Sequence, residues 1–291
     1  MKPAQFDYRA PEQLDELLEL LADDLADVRV IAGGQSLVPM MNFRLSAPER
    51  LLDLRRIAAL ERLDVADGEL VVGARVTQAT LLRRLERDGG WPLLAAGIRQ
   101  IGHPQIRSRG TVCGSLAHHD PTAELPALAV ALDARLLARS AAGRREIAAA
   151  EFFVSYYETA LEPGELLVEA VFPAQPPGRG WAFAEIARRR GDFALVGVAA
   201  HVDRDRGGER IGAARLVLFG VGERPLRLDG AEPLLRGGRP DPERLAALRE
   251  LVAERAAPVD DAHASGDYRR HAAAQLAARA IEQAWERSRG V

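Results

Sequence analysis

"RVIAGGQSLVPMMNFRL", residues 29–45, runs a short apolar segment into two adjacent glycines, a serine and a Pro-Met turn. A strand that delivers glycines to the start of a helix leaves terminal N–H groups without partners, and glycine permits close approach and left-handed backbone angles. Chains present themselves to an anion in this way, and a pyrophosphate fits the pattern. The spacing of "AGGQSL" is not the G-x-G-x-x-G of a dinucleotide fold, and no lysine follows as a P-loop requires. Taken by itself, the stretch also suits an ordinary strand-to-turn connection.

Bulk properties narrow the choice. A chain of 291 residues can build two or three domains, and 47% hydrophobic with 28% charged residues describes an ordinary globular protein. The net charge of -3 gives no electrostatic footprint for nucleic acid. The sequence has no run of about 18 apolar residues and no charged-then-apolar leader, so it predicts no integral membrane segment and a cytoplasmic protein. Cys113 is the only cysteine, which excludes an intrachain disulfide, a four-thiolate zinc site and a self-contained iron–sulfur cluster. Any iron–sulfur chemistry must therefore sit on another chain. Lys2 is the only lysine, and its place near a terminus argues against Schiff-base and P-loop chemistry.

Periodicity predicts a mixed α and β chain. Leucines at 14, 17, 18, 21 and 25 mark a helix over 11–25, with Pro11 suited to its first turn. "VRVIA" (28–32) reads as a short buried strand, 51–76 as strands or a hairpin with an "ADG" turn, and 77–89 and 91–102 as helices. A helix over "PTAELPALAVAL" and a strand over "ARLLARS" follow. Three prolines and two glycines in "FPAQPPGRG" (172–180) predict a boundary, beyond which two strands lead to helices at about 242–256 and 266–287.

A second glycine stretch, "RSRGTVCGSLAHHDPTAELPAL" (107–128), offers hydroxyls at Thr111 and Ser115 and a Pro-initiated helix carrying Glu124. Two such loops can grip one extended diphosphate from both sides. Here the chain resembles the flavin-binding medium subunit of the molybdenum hydroxylases, the group containing aerobic carbon monoxide dehydrogenase and bacterial relatives of xanthine dehydrogenase. The resemblance runs nearly end to end, through "AGGQSLVPMMNFRL", "IGHPQIRSRGTVCGSLAHHDPTAELPA", "ELLVEAVFP", "EIARRRGDFALVGVAAHV" and "GDYRRHAAAQLAARAI".

The resemblance implies an α+β fold: a two-part FAD-binding domain of the vanillyl-alcohol-oxidase/PCMH type over 1–174, with subdomains of about 1–56 and 57–174, and a smaller α+β domain over 175–291. It implies non-covalent FAD, held by Ala32, Gly33, Gly34, Gln35, Ser36 and Leu37 of the first loop. Thr111, Gly114 and Ser115 match the family's T-x-G-G-N or T-x-G-G-S loop, with Cys113 where the first glycine of that pair is common. By the same resemblance Ile101 packs near the flavin, His118 neighbours it, Glu124 matches an acid near the ribose or adenine, and Val168 offers a backbone contact. The molybdenum cofactor and two [2Fe–2S] clusters are expected only on partner subunits, a large and a small one, in a dimer of heterotrimers. Electrons then pass from the clusters through the FAD to an external acceptor, a role that demands no catalytic acid or base from this chain.

Plainer readings stand beside these. In "HHD" (118–120) adjacent residues point in different directions and further ligands are not evident, so no metal is expected. Cys113 fits a buried small residue better than a redox thiol. "RRRGDF" (188–193) reads equally as a solvated arginine face or as a segment near the flavin and a partner, and Gly220 and Gly222 mark a strand end. Two further functions suit the sequence: a self-contained flavin oxidase or reductase of the same superfold, and a non-catalytic nucleotide-binding subunit.

Overall fold

The structure, a computed structural model, describes residues 2–22 and 27–289. Its first sheet has three parallel strands, with Arg50–Asp53 between Asp7–Arg9 and Val28–Ile31. Val28–Ile31 is therefore an edge strand and only half-buried, where the apolar run "VRVIA" predicts a buried one. The first helix spans Leu14–Leu21 and is shorter than the leucine spacing implies, because Gln13 is extended at its start and leaves Pro11 outside. Leu25 of the predicted stretch lies outside the described residues.

The second sheet is antiparallel, ordered Leu63–Ala66, Glu69–Gly73, Leu166–Phe172, Arg135–Ser140, Gly143–Ala148. The "ADG" turn closes its first hairpin with Asp67 and Gly68 both left-handed, the geometry that matches the twist of paired strands. Four helices of three turns or fewer pack beside it: Gln78–Asp88, Pro92–Gln100, Val112–His118 and Glu124–Ala131. Every residue of Glu124–Ala131 is buried. A helix apolar on all sides needs cover on all sides, and this one lies between Pro92–Gln100 and the strands of the third sheet.

That third sheet is a meander of Gly180–Ala187, Ala194–Arg204, Ile211–Phe219 and Leu226–Arg227. Gly266–Arg287 covers its other face and Pro242–Arg255 packs against that helix, the two capped by the side chains of Ser265 and Asp241. Successive strand residues point to opposite faces, so Ala194–Arg204 feeds two cores. Val196, Val198, Ala200 and Val202 meet Ala273, Ala277 and Ile281 of the long helix, while Ala199 joins Val217 and Phe219 in the core of the first two sheets. Among the described residues no helix is long and apolar enough to cross a membrane.

Candidate functional site

The two glycine stretches converge on one cavity of about 550 Å³, a volume within the usual range for a small-molecule or cofactor site. Ala32, Gly33, Gly34, Gln35, Ser36 and Leu37 line it from the first loop, and Thr111, Cys113, Gly114, Ser115 and His118 from the second. Ile101 and Glu124 complete the predicted set on its walls. Val168 stands apart from it. The strand Leu166–Phe172 carries an irregularity between Leu167 and Glu169, and the Val168 carbonyl accepts from the Ala74 N–H at 2.9 Å. Leu166 and Leu167 take the wall position instead.

Gly33 and Gly34 are required for different reasons. A Cβ on Gly33 would collide with the Arg109 carbonyl and lie 2.7 Å from Cα of Gly110, so the backbone pressed against it is the second loop's own. Gly34 has φ +70°, and a Cβ there would meet only the side-chain ends of Ile31 and Val38 at 3.1 Å. Its constraint is conformational. Gln35 folds back so that Nε2 donates to the Gly33 carbonyl at 3.0 Å. Among the described residues no acceptor takes up the backbone N–H of Gly34, Gln35 or Ser36.

The second loop is held from behind. Gln78 N–H donates to the Gly110 carbonyl at 2.8 Å and Val112 N–H to the Val76 carbonyl at 3.1 Å, with Thr77 bridging Thr111. Thr111 caps the helix Val112–His118 by accepting from Gly114 N–H at 3.1 Å, and its hydroxyl stands 2.6 Å from where a Gly114 Cβ would be. The segment read as a glycine-rich stretch is thus the first turn of a helix. Gln78 lines the cavity at 4% exposure, and its Oε1 is buried without a partner among the described residues.

The third sheet supplies a further wall. Gly191, Asp192 and Phe193, beyond the end of the strand Gly180–Ala187, reach the cavity, and Phe193 is 69% exposed. A Cβ on Gly191 would lie 2.7 Å from Nδ1 of His103, so this turn docks against the segment beside Ile101. The arginines of "RRRGDF" do not line the cavity; Arg189 and Arg188 face Asp192 at 3.2 and 3.9 Å. The motif gave a signal, and its Gly-Asp-Phe half is the part that reaches the site.

Cys113 is buried, its Sγ 3.6 Å from the Val72 carbonyl, and burial pushes the thiol far above its usual range. Such a thiol is a packing group, not a nucleophile. The histidines diverge: His118 lines the cavity beside the Tyr157 ring, with burial lowering its pKa, while His119 is fully buried with Nδ1 3.0 Å from the Glu158 carbonyl. Glu124, 7% exposed, has its carboxyl pushed up to about 8 by burial first and by Glu185 second.

Comparison with known proteins places this geometry. The FAD binding domain in molybdopterin dehydrogenase matches residues 4–175, and the CO dehydrogenase flavoprotein C-terminal domain matches residues 181–284. The 6-hydroxypseudooxynicotine dehydrogenase complex subunit alpha of Paenarthrobacter nicotinovorans is 38% identical over 99% of this chain and 97% of its own. A carbon monoxide dehydrogenase structure from Hydrogenophaga pseudoflava superposes with TM-score 0.95 at 35% identity, covering 99% of this chain and 100% of that one. Quinoline 2-oxidoreductase from Pseudomonas putida 86 gives TM-score 0.93 at 40% identity over 98% of this chain and 99% of its own.

Proposed function

This chain belongs to the FAD-binding family of molybdopterin dehydrogenases, and from that premise we propose that it is the FAD-carrying electron-transfer subunit of a molybdenum-containing hydroxylase or dehydrogenase complex. The observation that carries the reading is the cavity between the two loops. Its glycine backbone, the free N–H groups of Gly34, Gln35 and Ser36 and the unpartnered Oε1 of Gln78 fit a ligand that brings both phosphate oxygens and hydrogen-bond donors. Ala32 to Leu37 with Thr111, Cys113, Gly114 and Ser115 would hold the diphosphate side, and Ile101, His118 and Phe193 would wall the flavin. FAD, when bound, supplies the chemistry of taking up and passing on electrons.

Residues 1–174 form the cofactor domain in this proposal, with subdomains of about 1–56 and 57–174, and 175–291 a second domain that contributes the Gly191–Phe193 wall. The partners proposed are an iron–sulfur small subunit and a molybdenum-binding large subunit in a dimer of heterotrimers. A single buried cysteine leaves this chain no means of ligating a cluster, and relatives carry the names medium chain and medium subunit. The protein isolated with the subunits that accompany it is expected to contain FAD that acid precipitation releases into the supernatant, leaving a colourless pellet. A pellet that keeps its flavin overturns non-covalent attachment, and substrate turnover by the lone chain overturns the electron-transfer role.

A further inference from the structure

The cavity carries an electrostatic contradiction. A flavin dinucleotide brings a doubly charged diphosphate, yet the wall has four carboxyl residues, Asp120, Glu124, Glu165 and Asp192, against one basic residue, Arg29, which already stands 3.7 Å from Asp27. Three of the acids are answered within the fold. Glu165 is clasped by Arg145 through two contacts of 2.7 Å, and Asp192 faces Arg189. Asp120 accepts from the Thr122 N–H at 2.9 Å and its hydroxyl at 2.6 Å. Glu124 alone among them has neither an ion pair nor a hydrogen bond from another residue's side chain among the described residues. A second acid acts on it, Glu185 on the strand Gly180–Ala187, whose buried Oε2 has no hydrogen-bond partner among the described residues.

We propose that Glu124, backed by Glu185, binds the cofactor as a neutral carboxylic acid whose proton is a hydrogen-bond donor to it, so that cofactor retention is coupled to proton uptake. This rests on the cofactor assignment above. The groups acting on Glu124 come from each side: Glu185 from the third sheet, Asp120 from the preceding turn, and Arg107 from the short helix Pro104–Arg107. Arg107 is the only cation among them, and its Nη1 is spent on the carbonyls of Ile101 and Gly102 at 2.6 and 3.1 Å. Burial of His118, the histidine on this wall, disfavours its charged form. Arg99 of the neighbouring helix is paired with Glu86, and Arg215 reaches the opposite end of the Glu124–Ala131 helix at the Ala131 carbonyl.

Burial pushes Glu124 up to about 8 and Glu185 up to about 7. A carboxyl raised in this way keeps its proton in the folded state over a range where the unfolded chain has lost it. The associated stability is complete below the unfolded value and is lost progressively as pH rises from there, until it is gone above about 7 for Glu185 and about 8 for Glu124. Ionised Glu124 would set a negative charge beside the anionic cofactor, so affinity falls above a break at the cofactor-free value of about 8, by about tenfold per pH unit for a single linked proton. By reciprocity, bound cofactor holds the Glu124 proton more tightly.

The test is the free FAD fraction, read by its fluorescence, in the full chain with its accompanying subunits from about pH 6 to about pH 9.5. Wild type should release flavin as pH rises, Glu124→Gln should lose the slope, and Glu185→Gln, which removes a like charge, should move the break to lower pH. Titration calorimetry of FAD in buffers of different ionisation enthalpy should register proton uptake by wild type, a readout that needs no variant to fold. A flat wild-type profile, or a Glu124→Gln slope equal to wild type, overturns the Glu124 proposal and leaves the cofactor assignment standing. Absence of bound FAD at every pH overturns both.

Discussion

In the loop Ala32–Leu37, Gly33 answers to something outside its own neighbourhood in sequence, since its space is filled by the carbonyl of Arg109. In Thr111–Ser115 the demand is internal, because the Thr111 hydroxyl that caps the helix occupies the volume a Cβ on Gly114 needs. The first loop is thus shaped by the second, while the second is shaped by its own cap and by Val76 and Gln78 behind it. Damage should spread unequally between them.

Gly33→Ala tests that asymmetry hardest. Its methyl would strike backbone on both Arg109 and Gly110, which no rotamer change relieves, and overpacking of this kind costs about 3 kcal/mol. A lower denaturation midpoint together with lost FAD absorbance is expected; an unchanged midpoint would separate the two loops. Gly34→Ala should cost less, about 1 to 2 kcal/mol for forcing an L-residue to a left-handed angle, and should weaken FAD retention while the fold survives.

The smallest effects sharpen the comparison. Thr111→Ala removes a helix cap and should lower stability by about 1 kcal/mol even without cofactor. Ser115→Ala removes a hydroxyl with no side-chain hydrogen bond inside the described chain, so it should leave the cofactor-free midpoint alone. It should weaken FAD binding by about 0.5 to 1.5 kcal/mol. Equal effects of both changes on cofactor-free stability would erase the distinction between a structural and a ligand-facing hydroxyl.

Much of this arrangement is legible in the sequence. The helices Pro242–Arg255 and Gly266–Arg287 announce themselves through apolar spacing and through Asp241, Pro242 and Ser265 at their starts. The glycine loops and Glu124 are visible because glycine, hydroxyl and acid at those spacings are local signals. Other features depend on partners far along the chain. Glu185 gains meaning only from Glu124, 61 positions earlier, and no periodicity links them. Val168 sits at an irregularity in strand register that its own sequence does not announce, and Leu166 and Leu167 reach the wall instead. Gly33 is explained by Arg109, which local reading cannot place beside it. Local pattern finds which residues belong to a site, and tertiary contact decides what each of them does there.

The helix Glu124–Ala131 has no solvent face, and part of its cover is made by strands that come more than 60 residues later. During synthesis the first two sheets can emerge complete while Leu125, Leu128 and Val130 still await Ala199, Val217 and Phe219. For several seconds at ordinary rates of elongation, the nascent chain therefore displays an oily strip beside its future flavin cavity. The site is finished only once the ribosome has delivered the strands that close over this helix, so the order of translation sets the earliest moment at which cofactor can be sealed in.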